Sequence, residues 1–346
     1  MISKLDKILL DYIITNPNVS SSNIYSSINT DKTLVTIKRR LSKLVDKKLI
    51  NKLGQAKATK YSISNHYSII RNIDADEYFS VEIEDRSINK GFNFELLNEI
   101  SNISIFSDTE LELLEQAHKR YATNISTISN SLYKKDLERL GIDLSWKSSQ
   151  IEGNTYSLLE TEQLFKDRIE AKGKKKEDAI MLLNHKVALD YILDSTNYYL
   201  VLSTKKIIEV HSLLIKDLGV SSNIRNRIVG ITGTNYRPLD NEFQIKEALE
   251  QVCNIINSKS NVFEKSFLLL ILLSYLQAFE DGNKRTARIM TNAVLISQNH
   301  CPLSYRTIDP IDYKKAMLIF YEQNNISAMK KIFIEQYVFA VDNYFL

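Results

Sequence analysis

The sequence predicts a mainly α protein of two domains, and three observations carry that prediction. Turn-forming residues are scarce, with 9 Gly and 4 Pro in 346 residues, too few for the many tight hairpins of an all-β chain. Apolar residues recur at three- and four-residue steps along most of the chain, which is the spacing of one helix face. Charge is divided unevenly: residues 1–66 hold twelve Lys/Arg against four Asp, a balance of +8. The remaining 33 basic and 38 acidic residues give −5. A basic segment joined to an acidic body implies that the first domain meets a polyanion and the second does not.

In the first domain, Leu5, Ile8, Leu9, Tyr12 and Ile13 fall on one helical stripe that Pro17 closes. Ser20 to Ser22 offer N-caps for a short second helix with Ile24 and Ile28. A third helix after Thr30-Asp31 carries Leu34, Ile37, Leu41 and Leu44 inward and presents Lys32, Thr36, Arg39, Arg40, Lys43 and Lys47 outward. Leu49 to Leu53, a turn at Gly54, and Thr59 to Ile63 read as two short antiparallel strands. Three helices followed by this β-wing resemble the winged helix-turn-helix family over the whole of residues 1–66. An outward face of hydroxyls, ammonium and guanidinium groups suits a phosphate backbone and major-groove base edges. Double-stranded DNA is therefore an expected partner, with those six residues as its contacts.

Residues 67–106 mix acidic patches with apolar pieces such as Phe92 to Leu97, which predicts a packed connector and not a free linker. From 107 to 346 helices are expected at 107–121, 129–139, 143–152, 157–169, 176–195, 204–217, 241–258, 262–278 and 284–299, and from Ile311 to the end. Residues 228–239 are the exception and read as an extended hairpin or flap. Composition is that of a folded protein, 44% hydrophobic and 25% charged. Two cysteines, Cys253 and Cys301, are too few for a disulfide framework. With no signal-peptide pattern at the start, a cytoplasmic location is expected. The apolar run Phe267 to Leu276 is too short to span a bilayer, so no membrane partner is expected.

Chemistry concentrates in Gln277-Ala278-Phe279-Glu280-Asp281-Gly282-Asn283-Lys284-Arg285-Thr286-Ala287-Arg288. An apolar helix ends, a Gly-containing loop follows, and a second helix begins with basic residues. A helix N-terminus offers unpaired N–H groups and the positive dipole end, so phosphate is stabilised there. Gly282 lets the backbone approach an anion. Arg285 and Arg288 share a helix face, from which they can clamp successive phosphates. Asp281 is a hard oxygen ligand suited to a Mg²⁺ ion that bridges phosphates. These residues alone point to a nucleotide-phosphate site.

The same stretch resembles the signature of the Fic (Fido-domain) family, His-x-Phe-x-(Asp/Glu)-Gly-Asn-(Gly/Lys)-Arg-x-x-Arg, at every specified position but the first. The resemblance implies an all-α core that binds Mg-ATP and transfers AMP to a Ser, Thr or Tyr hydroxyl of a protein. It implies that Phe279 anchors the loop, that Asp281 binds Mg²⁺, and that Gly282, Asn283 and Lys284 form the anion loop. Arg285 and Arg288 would hold the β- and γ-phosphates. Ser148-Ser149-Gln150-Ile151-Glu152-Gly153-Asn154 resembles the family's inhibitory pattern, in which Glu152 would occupy the fork of Arg288 and exclude the γ-phosphate. Arg225, Ile231, Thr232, Gly233 and Thr234 resemble the flap that pins a target's backbone as an added strand.

Gln277 stands where the family has its histidine. An imidazole can take the target's proton near neutral pH, whereas an amide cannot. Adenylylation is thus expected to be impaired as well as autoinhibited. Two alternatives differ in class: a catalytically dead core that senses nucleotide for a transcriptional regulator, and a phosphotransferase of the Doc-type branch, which shares Asn-Lys-Arg. His66, His118, His185, His211 and His300 lie outside the motif, and His185 and His211 read as packed or capping residues. Expected partners are ATP, a target protein (the chain itself included), DNA, and a second copy in a homodimer.

Overall fold

The computed structural model describes residues 3–346, which divide into two compact units, one up to Asn72 and one from Ile73 onward. In the first unit, α1 (Lys4–Thr15) starts on a capping box: Ser3 accepts the Asp6 N–H, and Asp6 accepts the Ser3 N–H, each at 3.2 Å. α2 (Ser21–Ser27) and α3 (Leu34–Asp46) follow, each started by a Ser or Thr cap, Ser20 and Thr33. β1 (Ile50–Leu53) and β2 (Lys60–Ile63) pair antiparallel, with Ile50 opposite Ile63. Gly54 opens the intervening turn at φ +76°, and a Cβ there would stand 2.6 Å from the Ala58 carbonyl oxygen. One core, including Leu9, Ile24, Ile37, Leu41 and Tyr61, holds these elements together. Tyr67, in α4 (Asn65–Ile70), packs into that same core, so the unit continues past residue 66.

Arg40 departs from its expected place on the outward face of α3. Its guanidinium reaches back to α1, with Nε donating to Asp6 Oδ1 at 2.7 Å and Nη2 donating to Asp6 Oδ2 and Ser3 Oγ. Asp6 is buried, and Arg40 is the cation that compensates it, with the carboxyl held below its usual range. Lys32, Arg39, Lys43 and Lys47 remain exposed, and Thr36 is half-buried next to its cap Thr33.

The second unit is helical throughout, as the apolar periodicity predicts. It comprises α5 (Ala75–Phe79), α6 (Phe94–Ser101), α7 (Asp108–Thr127), α8 (Asn130–Ile151), α9 (Leu158–Asp167) and α10 (Lys176–Asp194). Then come α11 (Thr204–Leu214), α12 (Glu242–Ser258), α13 (Val262–Leu276), α14 (Asn283–Ser297), α15 (Pro310–Gln323) and α16 (Ser327–Asn343). α13 is apolar on every side and buried from Ser266 to Leu276, which makes it the axis of the unit. Among the described residues no helix is long and apolar enough to cross a membrane.

Three expectations are corrected. The helices read at 129–139 and 143–152 are one, α8, running through Gly141. A helical glycine costs about 1 kcal/mol against alanine, but here a Cβ would stand 3.0 Å from a Leu189 methyl of α10, and its absence permits the close approach. The last helix is two, divided at Asn324, which takes the left-handed conformation at φ 51°. Residues 228–239 contain no hairpin: the one sheet among the described residues is β1–β2. This loop is pinned from the connector instead. The Arg237 N–H donates to the Lys90 carbonyl (2.9 Å), Arg86 donates to the Gly233 carbonyl (3.4 Å), and Asn235 donates to Glu84 (3.0 Å). The connector is itself packed, since Tyr78 donates to the fully buried Glu322 of α15 at 2.6 Å.

Candidate nucleotide site

The loop from Gln277 to Gly282 joins α13 to α14, and its path is fixed from three directions. Gln277 caps α13 in the left-handed region at φ 50°. A residue other than glycine there costs roughly 1–2 kcal/mol, so the surroundings must hold it. Arg225 does much of this: its Nε donates to the Gln277 carbonyl at 2.6 Å, and its N–H donates to the Ala278 carbonyl at 3.1 Å. Arg225, expected in the flap, is buried and braces this loop. Phe279 is fully buried and stacks on His211 with ring centroids 3.6 Å apart. Asn283 closes the loop on itself, accepting the Phe279 N–H at 2.9 Å and donating to the Phe279 carbonyl at 2.8 Å.

Those bonds redefine Asn283. Its side chain braces the loop, and its backbone N–H stands at the head of α14, where an anion would be met. Gly282, at φ +76°, is the N-cap of α14, and a Cβ would come within 3.0 Å of Ile215 and 3.3 Å of His211. No side chain caps this helix. The first N–H groups of α14 are thus left for a ligand at the positive end of the dipole.

A cavity of about 380 Å³ opens beside this N-terminus, within the size range of small-molecule sites. Gln277, Asp281, Gly282, Asn283 and Lys284 line one side, Glu152 lies on another, and Ile231 and Thr232 form part of the rim. α15 closes it with Lys314, Met317, Leu318 and Tyr321. The sequence reading missed that wall, although the 314, 317, 318, 321 spacing is one helical stripe. Gly233 and Thr234 lie outside the lining, beyond the rim.

Glu152 is the C-cap of α8 and meets two cations of α14. Its Oε1 accepts from Arg288 Nη2 at 2.8 Å and its Oε2 accepts from Lys284 Nζ at 3.0 Å. Burial opposes its ionisation, but the Arg288 and Lys284 charges outweigh that and hold the carboxyl at about 2, against 4.5 ordinarily. Arg288 is fully buried, with Nε donating to Ser148 Oγ and Nη2 to the Ser148 carbonyl, both at 2.9 Å.

Ser148 continues the chain of bonds. Since Arg288 can only donate, the Ser148 proton goes to His185 Nε2 at 2.9 Å. That fixes the neutral tautomer with its proton on Nδ1, which faces Ser145 Oγ at 3.4 Å, and Ser145 in turn donates to the Gly141 carbonyl at 2.8 Å. Burial, with Arg288 and Arg285 nearby, pushes His185 down to about 3 and keeps it neutral. His211 is likewise lowered, to about 4, mainly by burial. Both histidines are packed parts of the core. Gly153 takes φ +98° just after Glu152, and Asn154 secures the following turn by donating to the Asp178 carbonyl at 2.8 Å.

Arg285 and Arg288 do not converge on the cavity. Arg285 is buried and donates to Asp281 Oδ2 at 2.9 Å and to the Leu214 carbonyl at 3.5 Å. Its i,i+4 pairing with Asp281 and the pairing of Arg288 with Glu152 hold both guanidinium groups on carboxylates. Asp281 stays 62% exposed, so a cation can reach it. No cluster of three or more metal-ligating side chains exists among the described residues. A Mg²⁺ ion at Asp281 would take its other ligands from phosphate oxygens and water, the usual habit of that ion.

Gln277 faces the cavity from the C-terminal end of α13. Its Nε2 donates to the Ser274 carbonyl at 2.6 Å and to Tyr321 Oη at 3.4 Å. The amide is therefore held back against the last turn of α13.

Comparison with known proteins agrees with this geometry. Residues 201–295 match the model of the Fic/DOC family. The chain is 24% identical over 197 residues to the protein adenylyltransferase Fic of Drosophila virilis, covering 56% of this chain and 41% of that protein. It is 26% identical over 216 residues to the protein adenylyltransferase Fic of Nematostella vectensis, covering 58% of this chain and 48% of that one. The match thus spans less than half the length of these relatives. A solved Fic-1 fragment from C. elegans superposes with a TM-score of 0.60 at 18% identity, over 68% of this chain and 72% of that one. A Fic family protein from Desulfovibrio desulfuricans G20 gives 0.56 at 14% identity, over 69% of this chain and 74% of that one. At such identities the likeness concerns the fold.

Proposed function

We propose, from the match of residues 201–295 to the Fic/DOC family model, that the chain binds Mg-ATP against the N-terminus of α14 and transfers AMP to a protein hydroxyl, weakly. The observation that carries this reading is the uncapped α14 N-terminus at Gly282, open to the cavity and flanked by Lys284 and Asp281. Backbone N–H groups there suit the phosphates. Asp281 would hold the Mg²⁺ ion, which neutralises phosphate charge when bound.

In the transfer, the target's hydroxyl oxygen bonds to the α-phosphorus while the bond from that phosphorus to the β-bridging oxygen breaks. Pyrophosphate leaves with that electron pair, and the hydroxyl proton needs an acceptor. Gln277 supplies none, and its amide is engaged with Ser274. Glu152 adds a second block, since its carboxylate must leave Arg288 before that guanidinium can serve a γ-phosphate. Loop residues 228–235, with Ile231 and Thr232 at the rim, would receive the target's backbone.

The same Gln277 geometry favours a second reading, a nucleotide-sensing regulator without transfer. In both readings the first unit binds double-stranded DNA through the exposed Lys32, Arg39, Lys43 and Lys47 of and beside α3, with Thr36 among them. The test is calorimetry of ATP binding with and without Mg²⁺, using the parent and Glu152→Gly, alongside incorporation of α- and γ-labelled ATP. Mg²⁺-dependent binding that improves in Glu152→Gly is expected, with α-label alone incorporated. γ-Label in the product indicates phosphotransfer, binding without incorporation indicates the regulator, and no binding by either chain refutes the site.

A further inference from the structure

Lys284 occupies the second position of α14, where a cation opposes the positive end of the helix dipole. Its placement is nonetheless well defined: Nζ lies 3.0 Å from Glu152 Oε2, and the side chain is only 25% exposed. The two cations that hold Glu152 differ in how they are themselves held. Arg288 is pinned by Ser148 Oγ and the Ser148 carbonyl and lies over the Tyr313 ring, so it stays when Glu152 leaves. Among the described residues, the one side-chain hydrogen bond of Lys284 goes to Glu152. Lys284 lines the cavity and Arg288 does not.

A lysine is a point charge on a flexible four-carbon stem, able to exchange one anion for another by rotamer changes alone. We propose that Lys284 is a shared cation, which holds Glu152 on Arg288 in the resting chain and passes to a phosphate oxygen of bound nucleotide once Glu152 has left. This deepens the nucleotide-site reading above and rests on it. The consequence is a coupling: the contact that Lys284 loses with Glu152 is replaced by one with phosphate. Release of the carboxylate and capture of the nucleotide therefore become linked events. A lysine that served only the phosphate would show no such dependence on Glu152.

The experiment is calorimetry on the full chain with Mg²⁺ and an ATP analogue bearing a methylene between its α- and β-phosphorus atoms, which resists cleavage there. Four proteins are compared: the parent, Lys284→Met, Glu152→Gly and the double variant. Methionine keeps most of the stem, and thermal melting of each variant confirms its fold. In the Glu152→Gly background, Lys284→Met is expected to weaken binding on the order of tenfold, the loss of one charge-assisted phosphate contact. In the parent background the same change should alter affinity by less than about twofold, or tighten it, because Glu152 is loosened at the same time. Lys284→Arg, which keeps the charge, should preserve that difference between backgrounds. Equal weakening in both backgrounds would make Lys284 a plain phosphate ligand and overturn the proposal, as would equal tightening. A Glu152→Gly chain with no affinity for the analogue refutes the nucleotide site itself, and the handover with it.

Discussion

Restoring a base at position 277 is the perturbation that separates a blocked enzyme from a retired one. The backbone there accepts histidine readily: φ is 50°, and histidine is among the residues enriched in that region. Arg225 grips main-chain carbonyls and not the Gln277 side chain, so the loop should survive Gln277→His. The Gln277 amide now donates to the Ser274 carbonyl at 2.6 Å. An imidazole donating Nδ1–H to the same carbonyl would leave Nε2 free as acceptor toward the cavity. A positioned general base is worth about 10²–10⁴-fold in rate, or roughly 3–5 kcal/mol of barrier. Glu152 would still hold Arg288, so Gln277→His alone should show only part of that gain. Glu152→Gly alone should improve binding with little transfer. Together they should exceed the product of the single gains, because both act on one step. The assay is incorporation of α-labelled AMP by the four proteins under identical conditions, with self-modification included. Equal incorporation by the parent and Gln277→His would refute the idea that the missing base limits transfer. A silent double variant that still binds ATP would mean that the chemistry is lost elsewhere in the site.

Three further outcomes follow from the contacts. Glu152→Gln should destabilise the second unit by about 3 kcal/mol at pH 7, the value of moving a carboxyl from 4.5 to about 2. A depressed folded-state pKa gives stability that is full above about 4.5 and lost as pH falls toward about 2. The gap between parent and variant melting should therefore shrink by roughly half between pH 5 and pH 3, and a pH-independent gap would contradict the ion-pair assignment. Arg225→Ala removes the two bonds that its guanidinium donates to the Gln277 and Arg227 carbonyls, and should lower the melting temperature by several degrees, at about 1 kcal/mol per bond; an unchanged melt would mean that the loop holds itself. In the full chain, Arg39→Ala with Lys43→Ala should weaken binding to double-stranded DNA and flatten its salt dependence, whereas Arg40→Ala should chiefly lower stability, since Arg40 is tied to Asp6. Gel-shift titration at two salt concentrations with thermal melting separates the two effects, and a Arg39→Ala, Lys43→Ala chain that binds as the parent does would refute the assigned face.

Local chemistry made most of the helices legible. Ser20, among the caps read from the sequence, starts α2, and α13 announced its burial by being apolar all round. What stayed illegible depended on distant partners. Gly141 reads as a break until Leu189 of α10 is seen to require the missing Cβ. Arg40 reads as one more outward cation until Asp6, thirty-four positions away, claims it. Residues 228–239 have the composition of a hairpin, but their backbone partner is Lys90 in the connector and not each other. Tyr321 carries no motif, and its place beside Gln277 follows only from how α15 lies against α13.

The signature residues divide along the same line, and the division bears on what Gln277 means. Asn283, Phe279 and Gly282 are legible as anion-loop residues, yet Asn283 and Phe279 act by shaping the loop, one through bonds to residue 279 and the other through the His211 stack. Their requirement is structural and would persist whether or not AMP is transferred. Gln277 differs, because the Arg225 brace holds its backbone independently of the side chain, whose own bonds go to Ser274 and Tyr321. The side chain at position 277 can thus be exchanged while the loop from Ala278 to Gly282 keeps its path. In the proposed function the loop backbone bears on nucleotide binding, and the side chains of Gln277 and Glu152 bear on transfer. Transfer then turns on two blocks: an amide at position 277 and the carboxylate of Glu152 resting between Lys284 and Arg288.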